Sequence, residues 1–450
     1  MKTKVSPVQF VVLSFLLVIF TGTILLMLPI ASKSGTFTDL ITALFTSTSA
    51  TCVTGLVVVD TFEHWSFFGQ FVILLLIQIG GLSYMTIATF FLIFSGRRVT
   101  LKDRFILKEG LNAYKLSGIV SFAKSIFFVV ATFEGLGAFA LTLRFLRQTD
   151  FIDALWKGIF HSVSAFCNAG FDLMGGFQSF TPYVNDLTVN LTVMLLIVIG
   201  GIGFFVMYEL INKFIAYFKN DETKKLSLHT KIVLRVTAIL IIVGAILILV
   251  FEWTNPKSIG SLPLRGKILS AFFQSVTPRT AGFNTLNIAD LRQTTLVELI
   301  FLMFVGGSPG GTAGGVKTTT FVVFLFLIFS AYSERTPVVI SGRTIRLEIL
   351  RKAVFIISIA FTIIFVSTIL ILVAQGSQFS FLQVLFEVTS AFGTVGLTTG
   401  ITPNLSDFSR IVIVTTMFLG RVGPLSFVLS LASKKKKVRP EYPEEDLAIG

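Results

Sequence analysis

The sequence has very few of the residues that build metal sites, disulfide frameworks or polar active sites. Only two of its 450 residues are cysteine and three are histidine. Cys52 and Cys167 are too few for a disulfide framework or a zinc cage, and His64, His161 and His229 stand singly along the chain. The sequence shows no cluster of nucleophile, base and metal ligands, so we expect no enzymatic activity and no cofactor bound by this chain.

Charged residues are also scarce. Asp, Glu, Lys and Arg make up 14% of the sequence and hydrophobic residues 53%, whereas soluble domains contain roughly 25% charged residues. The formal net charge of +13 could suit nucleic acid, but the basic residues lie in short segments between apolar runs. That arrangement is typical of membrane topology. The composition therefore predicts a multi-pass membrane protein that contacts lipid and does not bind nucleic acid.

Eight apolar runs are long enough to cross a bilayer, which takes about 20 residues. We expect the first run to be retained as a span, because no cleavage site follows it. Basic linkers follow the second, fourth and sixth runs, and the tail carries KKKKVR. The positive-inside rule places these segments and both termini in the cytoplasm. The predicted spans lie near 8–30, 67–94, 117–142, 187–208, 230–251, 296–331, 353–374 and 408–432.

The tripeptide Thr-Val-Gly occurs only once, at residues 394–396, although a potassium filter takes four carbonyl-lined loops around one axis. Each predicted outer connection nevertheless contains a short apolar stretch, and the four stretches align without gaps. They read FTSTSATCVTGL (45–56), FHSVSAFCNAGF (160–171), FFQSVTPRTAGF (272–283) and FEVTSAFGTVGL (386–397). Their shared glycines, Gly55, Gly170, Gly282 and Gly396, are separated by 115, 112 and 114 residues. This near-constant period predicts an internal fourfold repeat.

The predicted fold is an all-α integral membrane protein, with eight transmembrane helices in four helix, re-entrant pore loop, helix repeats around one pore. The repeats cover residues 1–100, 101–220, 221–335 and 336–433, and a cytoplasmic tail covers 434–450. Non-helical backbone at membrane depth must face water, ions or protein, and each short pore helix turns its negative C-terminal end toward the ion. We therefore predict K+ bound at backbone carbonyls. The predicted filter residues are Val53, Thr54, Gly55, Asn168, Ala169, Gly170, Thr280, Ala281, Gly282, Thr394, Val395 and Gly396.

The sixth run is interrupted by GGSPGGTAGGVKTTT, residues 306–320. Six glycines and a proline oppose helix by roughly 1 and 3 kcal/mol per residue respectively, which predicts a loop inside the membrane. A nucleotide-binding loop is disfavoured because Val316 separates Gly315 from Lys317. We expect Lys317 and Arg421, both costly at membrane depth, to face the pore or a partner group. The predicted gate residues are Gly306, Gly307, Gly310, Gly311, Gly314, Gly315, Lys317 and Arg421.

On these loops, glycines and basic linkers, the whole chain resembles the Ktr/Trk/HKT superfamily of potassium transporters. It is most similar to the membrane subunit of bacterial Ktr potassium uptake systems, the KtrB/KtrD type. The resemblance implies channel-like K+ translocation across the bacterial plasma membrane, a flexible gate at 306–320, and Na+ as a candidate activator. Glycine at all four filter positions goes with potassium preference in that family, whereas serine in the first loop marks sodium-preferring plant relatives. The implied partners are a second copy in a homodimer and a cytosolic ring of nucleotide-binding RCK-type subunits.

A sodium- or proton-coupled cation carrier is the main alternative, although it predicts inverted repeats and an acid relay. Asp60 and Asp172 follow their filter segments and either concentrate cations at the mouth or are ordinary surface acids. We expect Arg279 to point behind its loop, toward the filter backbone or an acid, because a cation facing the ion would repel it. The remaining candidates for function, or for local ion pairs, are Lys124, Glu134, Glu298 and Glu387.

Overall fold

The computed structural model describes residues 7–82, 119–220, 225–332 and 337–423. The fold is helical, with one antiparallel hairpin of β1 (Val339–Ile340) and β2 (Arg343–Thr344). The helices are α1 Pro7–Met27, α2 Leu40–Cys52, α3 Thr61–His64, α4 Phe67–Leu82, α5 Ile119–Phe145, α6 Phe151–Phe166, α7 Leu187–Gly201, α8 Phe204–Phe218, α9 Leu228–Glu252, α10 Leu264–Val276, α11 Gln293–Phe304, α12 Thr318–Tyr332, α13 Leu347–Gln375, α14 Phe381–Gly393 and α15 Asp407–Val422. Single 3₁₀ turns lie at Pro29–Ala31, Thr181–Tyr183, Ile288–Asp290 and Thr402–Asn404.

Four described helices are long and apolar enough to cross a membrane: α1, α5, α9 and α13. Their outward faces carry large exposed apolar side chains, such as Phe20 at 65% and Val373 at 79%. Lipid tails accept such faces, and every backbone group inside a helix is satisfied within the segment. These helices therefore identify an integral membrane protein.

In the second and third repeats, the second predicted span is not one continuous helix. The predicted fourth span is two helices, α7 and α8, which meet at 103° around Gly203, whose φ is +96°. The predicted sixth span is α11 and α12, separated by residues 305–317. Helices α4 and α15 end at Leu82 and Val422, and the rest of each predicted span lies outside the described residues. Glycine-rich breaks thus interrupt spans four and six because glycine favours turns over helix.

Several sequence predictions fall on residues that the structure does not describe. They are the repeat boundaries after residues 100, 335 and 433, the tail 434–450, and the first basic linker at 96–115.

A short helix precedes each predicted filter segment, as the sequence predicts: α2, α6, α10 and α14. Three of them are fastened to the first helix of their own repeat by one hydroxyl. Ser47, Ser162 and Ser275 donate to Ile19 O at 2.7 Å, Glu134 O at 2.6 Å and Ile241 O at 2.7 Å, respectively. Close approach is possible because glycine faces each hydroxyl, at Gly22, Gly137 and Gly244. The three repeats therefore share one packing scheme.

The third pore helix is displaced by one residue relative to the ungapped alignment. Ser275 is the fourth residue of its stretch, whereas Ser47 and Ser162 are the third residues of theirs. Phe273, rather than the aligned Phe272, is the fully buried phenylalanine of this helix. The third repeat thus has one residue fewer between its helix and Gly282, and the ungapped alignment is correct only at the glycine end.

Candidate functional site

The four aligned glycines lie close together in the structure. An ideal Cβ placed on Gly55 would lie 2.5 Å from Ala169 O, one on Gly170 would lie 2.8 Å from Ala281 O, and one on Gly282 would lie 2.5 Å from Val395 O. A Cβ on Gly396 would meet Thr54 O and so return to the first repeat. Each glycine therefore faces a carbonyl oxygen of the next repeat, and the four segments form a closed ring, which we call the glycine ring.

The same unusual backbone occurs in all four segments of the glycine ring. The glycines have φ values of +92°, +71°, +80° and +93° in chain order. The residue two positions before each glycine is also left-handed: Val53, Asn168, Thr280 and Thr394, with φ between 50° and 76°. Non-glycine residues rarely adopt this conformation, and it costs roughly 1–3 kcal/mol unless its surroundings impose it. Four identical departures at aligned positions indicate one shared backbone design.

A ring of buried hydroxyls behind the glycine ring holds this backbone. Ser49 Oγ accepts a hydrogen bond from Gly55 N, and Ser390 Oγ accepts one from Gly396 N, both at 3.1 Å. In the other two repeats the hydroxyl donates instead, from Ser164 to Phe171 O at 2.8 Å and from Thr277 to Phe283 O at 2.5 Å. The sequence analysis did not select these four residues. The sequence signal for them is a serine at the fifth position of three aligned stretches. In the third stretch the corresponding residue, Thr277, stands one position later.

Three further buried side chains lie close in sequence to the glycine ring: Arg279, Cys52 and Cys167. Arg279 is 5% exposed, and its guanidinium donates to Thr237 O of α9 at 3.2 Å. It points behind the loop as predicted, but its guanidinium donates to a helix carbonyl rather than to filter backbone or an acid. Cys52 and Cys167 are buried and free, and Cys167 Sγ packs against Gly81. The Cys167 thiol also donates to Gln78 Oε1 at 3.6 Å and to Glu134 Oε1 at 3.8 Å.

Residues 305–317, which we call the intramembrane loop, pack directly against the glycine ring and the bend between α7 and α8. Ser308 N donates to Gly201 O at 3.0 Å, and Phe204 N donates to Gly310 O at 2.9 Å. Thr312 Oγ1 donates to Phe166 O at 3.3 Å. Gly314 lies against the side chain of Thr394 in the ring. The predicted loop extended to residue 320, whereas helix α12 already begins at Thr318.

Both predicted intramembrane cations contact the intramembrane loop. Lys317 Nζ donates to Ala313 O at 2.5 Å and to Gly314 O at 3.2 Å, so it caps carbonyls of its own loop. Arg421, on α15 of the fourth repeat, donates to Thr312 O of the loop and to Gly80 O of the first repeat. The guanidinium therefore links three parts of the chain through backbone carbonyls, which are the uncharged partners expected for a cation at membrane depth.

The two acids that follow the filter segments have different roles. Asp60 is 8% exposed; its Oδ1 accepts from Phe62 N and Glu63 N, and its Oδ2 accepts from Phe177 N at 2.8 Å. It ties the outer loop of the second repeat to the first. Asp172 is half-buried, and burial raises its pKa to about 7, helped by the charge of Asp60 and opposed by a hydrogen bond from Met174 N. Asp172 is therefore the acid that titrates near neutral pH beside the ring.

The remaining predicted acids do not form a relay. Glu134 accepts from the Gln78 amide at 3.1 Å, and both carboxyl oxygens of Glu298 are buried without a hydrogen-bond partner in the described part of the chain. Glu387 lies in α14 of the fourth repeat and accepts from Thr398 and Thr402. These three acids belong to different helices, and within the described residues they have no hydrogen-bond partner in common. Lys124 is exposed on α5.

A known protein family matches nearly the whole chain, including the glycine ring and the intramembrane loop. The family model described as "TrkH: Cation transport protein" matches residues 4–438. The chain belongs to the TrkH family of cation transport proteins.

Relatives of this TrkH-family chain match it over nearly its full length. It is 38% identical to Ktr system potassium uptake protein B of Bacillus subtilis, over 99% of this chain and 97% of that protein. It is 37% identical to the potassium/sodium uptake protein NtpJ of Enterococcus hirae, over 100% of this chain and 98% of that protein. The crystal structure of the potassium transporter TrkH from Vibrio parahaemolyticus superposes with a TM-score of 0.71 at 19% identity, covering 96% of this chain and 86% of that one. That superposition shows that this chain and the Vibrio parahaemolyticus protein share a fold.

Proposed function

We propose that this chain is the K+-conducting membrane subunit of a Ktr-type potassium uptake system. The observation that carries the proposal is the glycine ring, in which each of the four glycines lies against a carbonyl oxygen of the next repeat. Carbonyl oxygens that replace the hydration shell are the ligands of potassium filters. The filter comprises the triplets at 53–55, 168–170, 280–282 and 394–396, and K+ is the transported ion.

The four pore helices add an electrostatic reason for cation conduction. Each helix ends within a few residues of its glycine: α2 at Cys52, α6 at Phe166, α10 at Val276 and α14 at Gly393. A helix C-terminus is equivalent to roughly half a negative charge, so four such ends close to the ring favour a cation over an anion there. Glycine leaves the path free of side chains.

We propose the intramembrane loop as the gate of this filter. Its glycines pack against the ring at Thr394 and against the helix bend at 200–203, and Arg421 fastens it to the first repeat. Opening requires exchange of these carbonyl partners for water or other carbonyls. Deleting residues 308–314 should raise K+ flux that is independent of any cytosolic partner. A fall in flux, or unchanged flux at equal protein level, contradicts this assignment.

For the assembly we propose eight spans in four repeats, both termini in the cytoplasm, a homodimer, and a cytosolic RCK-type regulatory ring. The basic linkers support the orientation, and the names of the Ktr system relatives support an assembly with other components. Cysteine accessibility on either side of the membrane tests the topology, and cross-linking in native membrane tests the dimer. Affinity purification with a cytosolic RCK-type subunit, with and without nucleotide, tests the ring.

The decisive experiment is ⁸⁶Rb+ and K+ uptake in cells that lack other potassium uptake systems. We expect the wild type to support uptake that prefers K+ over Na+, and we expect Gly396→Ser to lose this preference. Gly400→Ser is the matched control, because Gly400 also has a positive φ of +90° but no atom within 4 Å of an added Cβ. An unchanged preference in Gly396→Ser contradicts the filter. Flux that is strictly coupled to Na+ or H+ favours the carrier alternative, and addition of Na+ tests its role as activator.

A further inference from the structure

The pore helix of the fourth repeat carries a buried acid behind the outward continuation of the glycine ring. Glu387 is 0% exposed. Its Oε2 accepts a hydrogen bond from Thr398 Oγ1 at 2.8 Å, and its Oε1 accepts one from Thr402 Oγ1. Thr398 is the second residue after Gly396, so their Cα atoms are separated by at most about 7 Å. The carboxylate therefore lies beside the backbone that leaves the ring.

The equivalent positions of the other repeats are polar but carry no carboxylate. After the one-residue correction in the third repeat, they are Thr46, His161 and Gln274, all nearly or fully buried. His161 Nε2 accepts from Leu173 N at 3.0 Å, so it also holds the chain that leaves its glycine. A side chain at this position thus braces the exit loop in the second and fourth repeats, and only the fourth repeat adds an acid.

Glu387 has no cationic partner in the described part of the chain. The ion pairs found there within 4 Å are Arg144–Asp186 and Arg410–Asp407. The two donors to Glu387 are neutral hydroxyls. A buried carboxylate without a counter-ion is strongly unfavourable, so Glu387 is either protonated or compensated by a cation from outside the described residues.

A second fully buried acid shows how this protein compensates a carboxylate when no ion is near. Glu252, at the end of α9, is 0% exposed. It accepts from Asn255 Nδ2, Ser258 Oγ, Arg292 N and Thr295 Oγ1 at 2.5–2.8 Å. Glu387 has half as many donors. Of the two acids, only Glu387 is joined through Thr398 to the backbone that leaves the ring, which is where a conducted ion would supply the missing compensation.

We propose that Glu387 is an electrostatic positioning residue that sets the K+ affinity of the filter, with the ion in the glycine ring as its counter-ion. The inference rests on the proposed K+ conduction through the ring. Glu387 does not touch the ion; it acts across the Thr398 backbone. A unit charge about 10 Å from the ion, at an effective dielectric constant of about 20, changes K+ affinity roughly tenfold.

The test compares variants that separate the effect of the Glu387 charge from the effect of its hydrogen bonds to the exit loop. Glu387→Gln keeps the size of the side chain and an oxygen acceptor for the hydroxyls but removes the charge. We expect its KM for K+ uptake to rise roughly tenfold while the maximal rate at saturating K+ is retained. Thr398→Val removes a brace but keeps the charge, and Glu387→Asp keeps the charge with a shorter side chain. We expect both to hold KM within about twofold of the wild type.

Glu252→Gln is the matched control for removing a buried acid, and we expect it to leave KM unchanged. An unchanged KM in Glu387→Gln, or an equal rise in Glu252→Gln, overturns the proposal. An equal rise in Thr398→Val also overturns it, because bracing would then explain the effect. If Glu387→Gln does not fold, Glu387→Asp and Thr398→Val are still decisive, since a raised KM in either contradicts a role of charge alone. The proposed function fails separately, if the wild type does not take up K+ or Gly396→Ser keeps its ion preference.

Discussion

Replacing Gly55 by alanine tests whether the glycine ring depends on the close approach of neighbouring repeats. Gly55 and Gly400 have nearly equal φ values, +92° and +90°. A left-handed alanine costs roughly 1–2 kcal/mol at either position, so this cost cancels between the two variants. The added Cβ at position 55 would lie 2.5 Å from Ala169 O and 3.0 Å from Gly170 Cα, whereas at position 400 nothing lies within 4 Å.

The remaining difference is therefore the overlap with the second repeat. Relieving it requires one segment to move by nearly 1 Å, and overpacking of this kind typically costs 1–3 kcal/mol. We expect Gly55→Ala to be less stable than Gly400→Ala by about 2 kcal/mol and to lose K+ preference. Thermal unfolding of both variants in detergent, monitored by size-exclusion chromatography, measures the first effect, and competition of Na+ with ⁸⁶Rb+ uptake measures the second. Equal melting temperatures and equal ion preference would refute the proposed close contact.

Three further predictions concern the surroundings of the ring. Because the pKa of Asp172 is raised to about 7, its carboxyl is neutral below that pH and ionised above it; uptake at sub-saturating K+ should rise roughly twofold between external pH 6 and pH 8, and Asp172→Asn should remove this step. Ser390→Ala leaves Gly396 N without its acceptor and should cost about 1–3 kcal/mol of stability together with some ion preference, whereas Ser390→Thr should retain both. Asp60→Ala removes the acceptor of Phe177 N and should speed proteolysis of the outer loop at 174–179, while its loss of stability should stay near 1 kcal/mol; an unchanged cleavage rate contradicts the tether.

The glycines could be found from the sequence because they recur with an almost constant period at places where the backbone needs a positive φ. The hydroxyl ring could not be found as easily. Ser49 and Ser390 accept from glycine N–H groups, whereas Ser164 and Thr277 donate to carbonyls. In addition, the third repeat is shifted by one residue, so Thr277 does not align with the three serines. Residue type and spacing indicate neither the direction of a hydrogen bond nor a missing residue between a helix and the glycine that follows it.

The broken spans were only partly predictable. The glycines at 306–315 indicate a loop, and the structure has one. The 103° bend between α7 and α8 depends on partners that a local pattern does not contain. Gly203 N-caps α8 with a φ of +96°, and Phe204 N takes Gly310 O as its acceptor. A glycine pair in an apolar run is compatible with a straight helix, and the partner that bends it lies over 100 residues away.

The closed glycine ring also constrains the order in which the protein can fold. Gly396 packs against Thr54, and Arg421 donates to Gly80 O across 341 residues of chain. Contacts this distant along the chain form late, because the chain must pay their loop-closure entropy before they are made. The segment around Gly55 therefore forms before its neighbour around Gly396 is in place. Until then, contacts with the fourth repeat do not support its left-handed backbone. A chain that emerges from the ribosome repeat by repeat can thus acquire a complete ion path only in its final folding step.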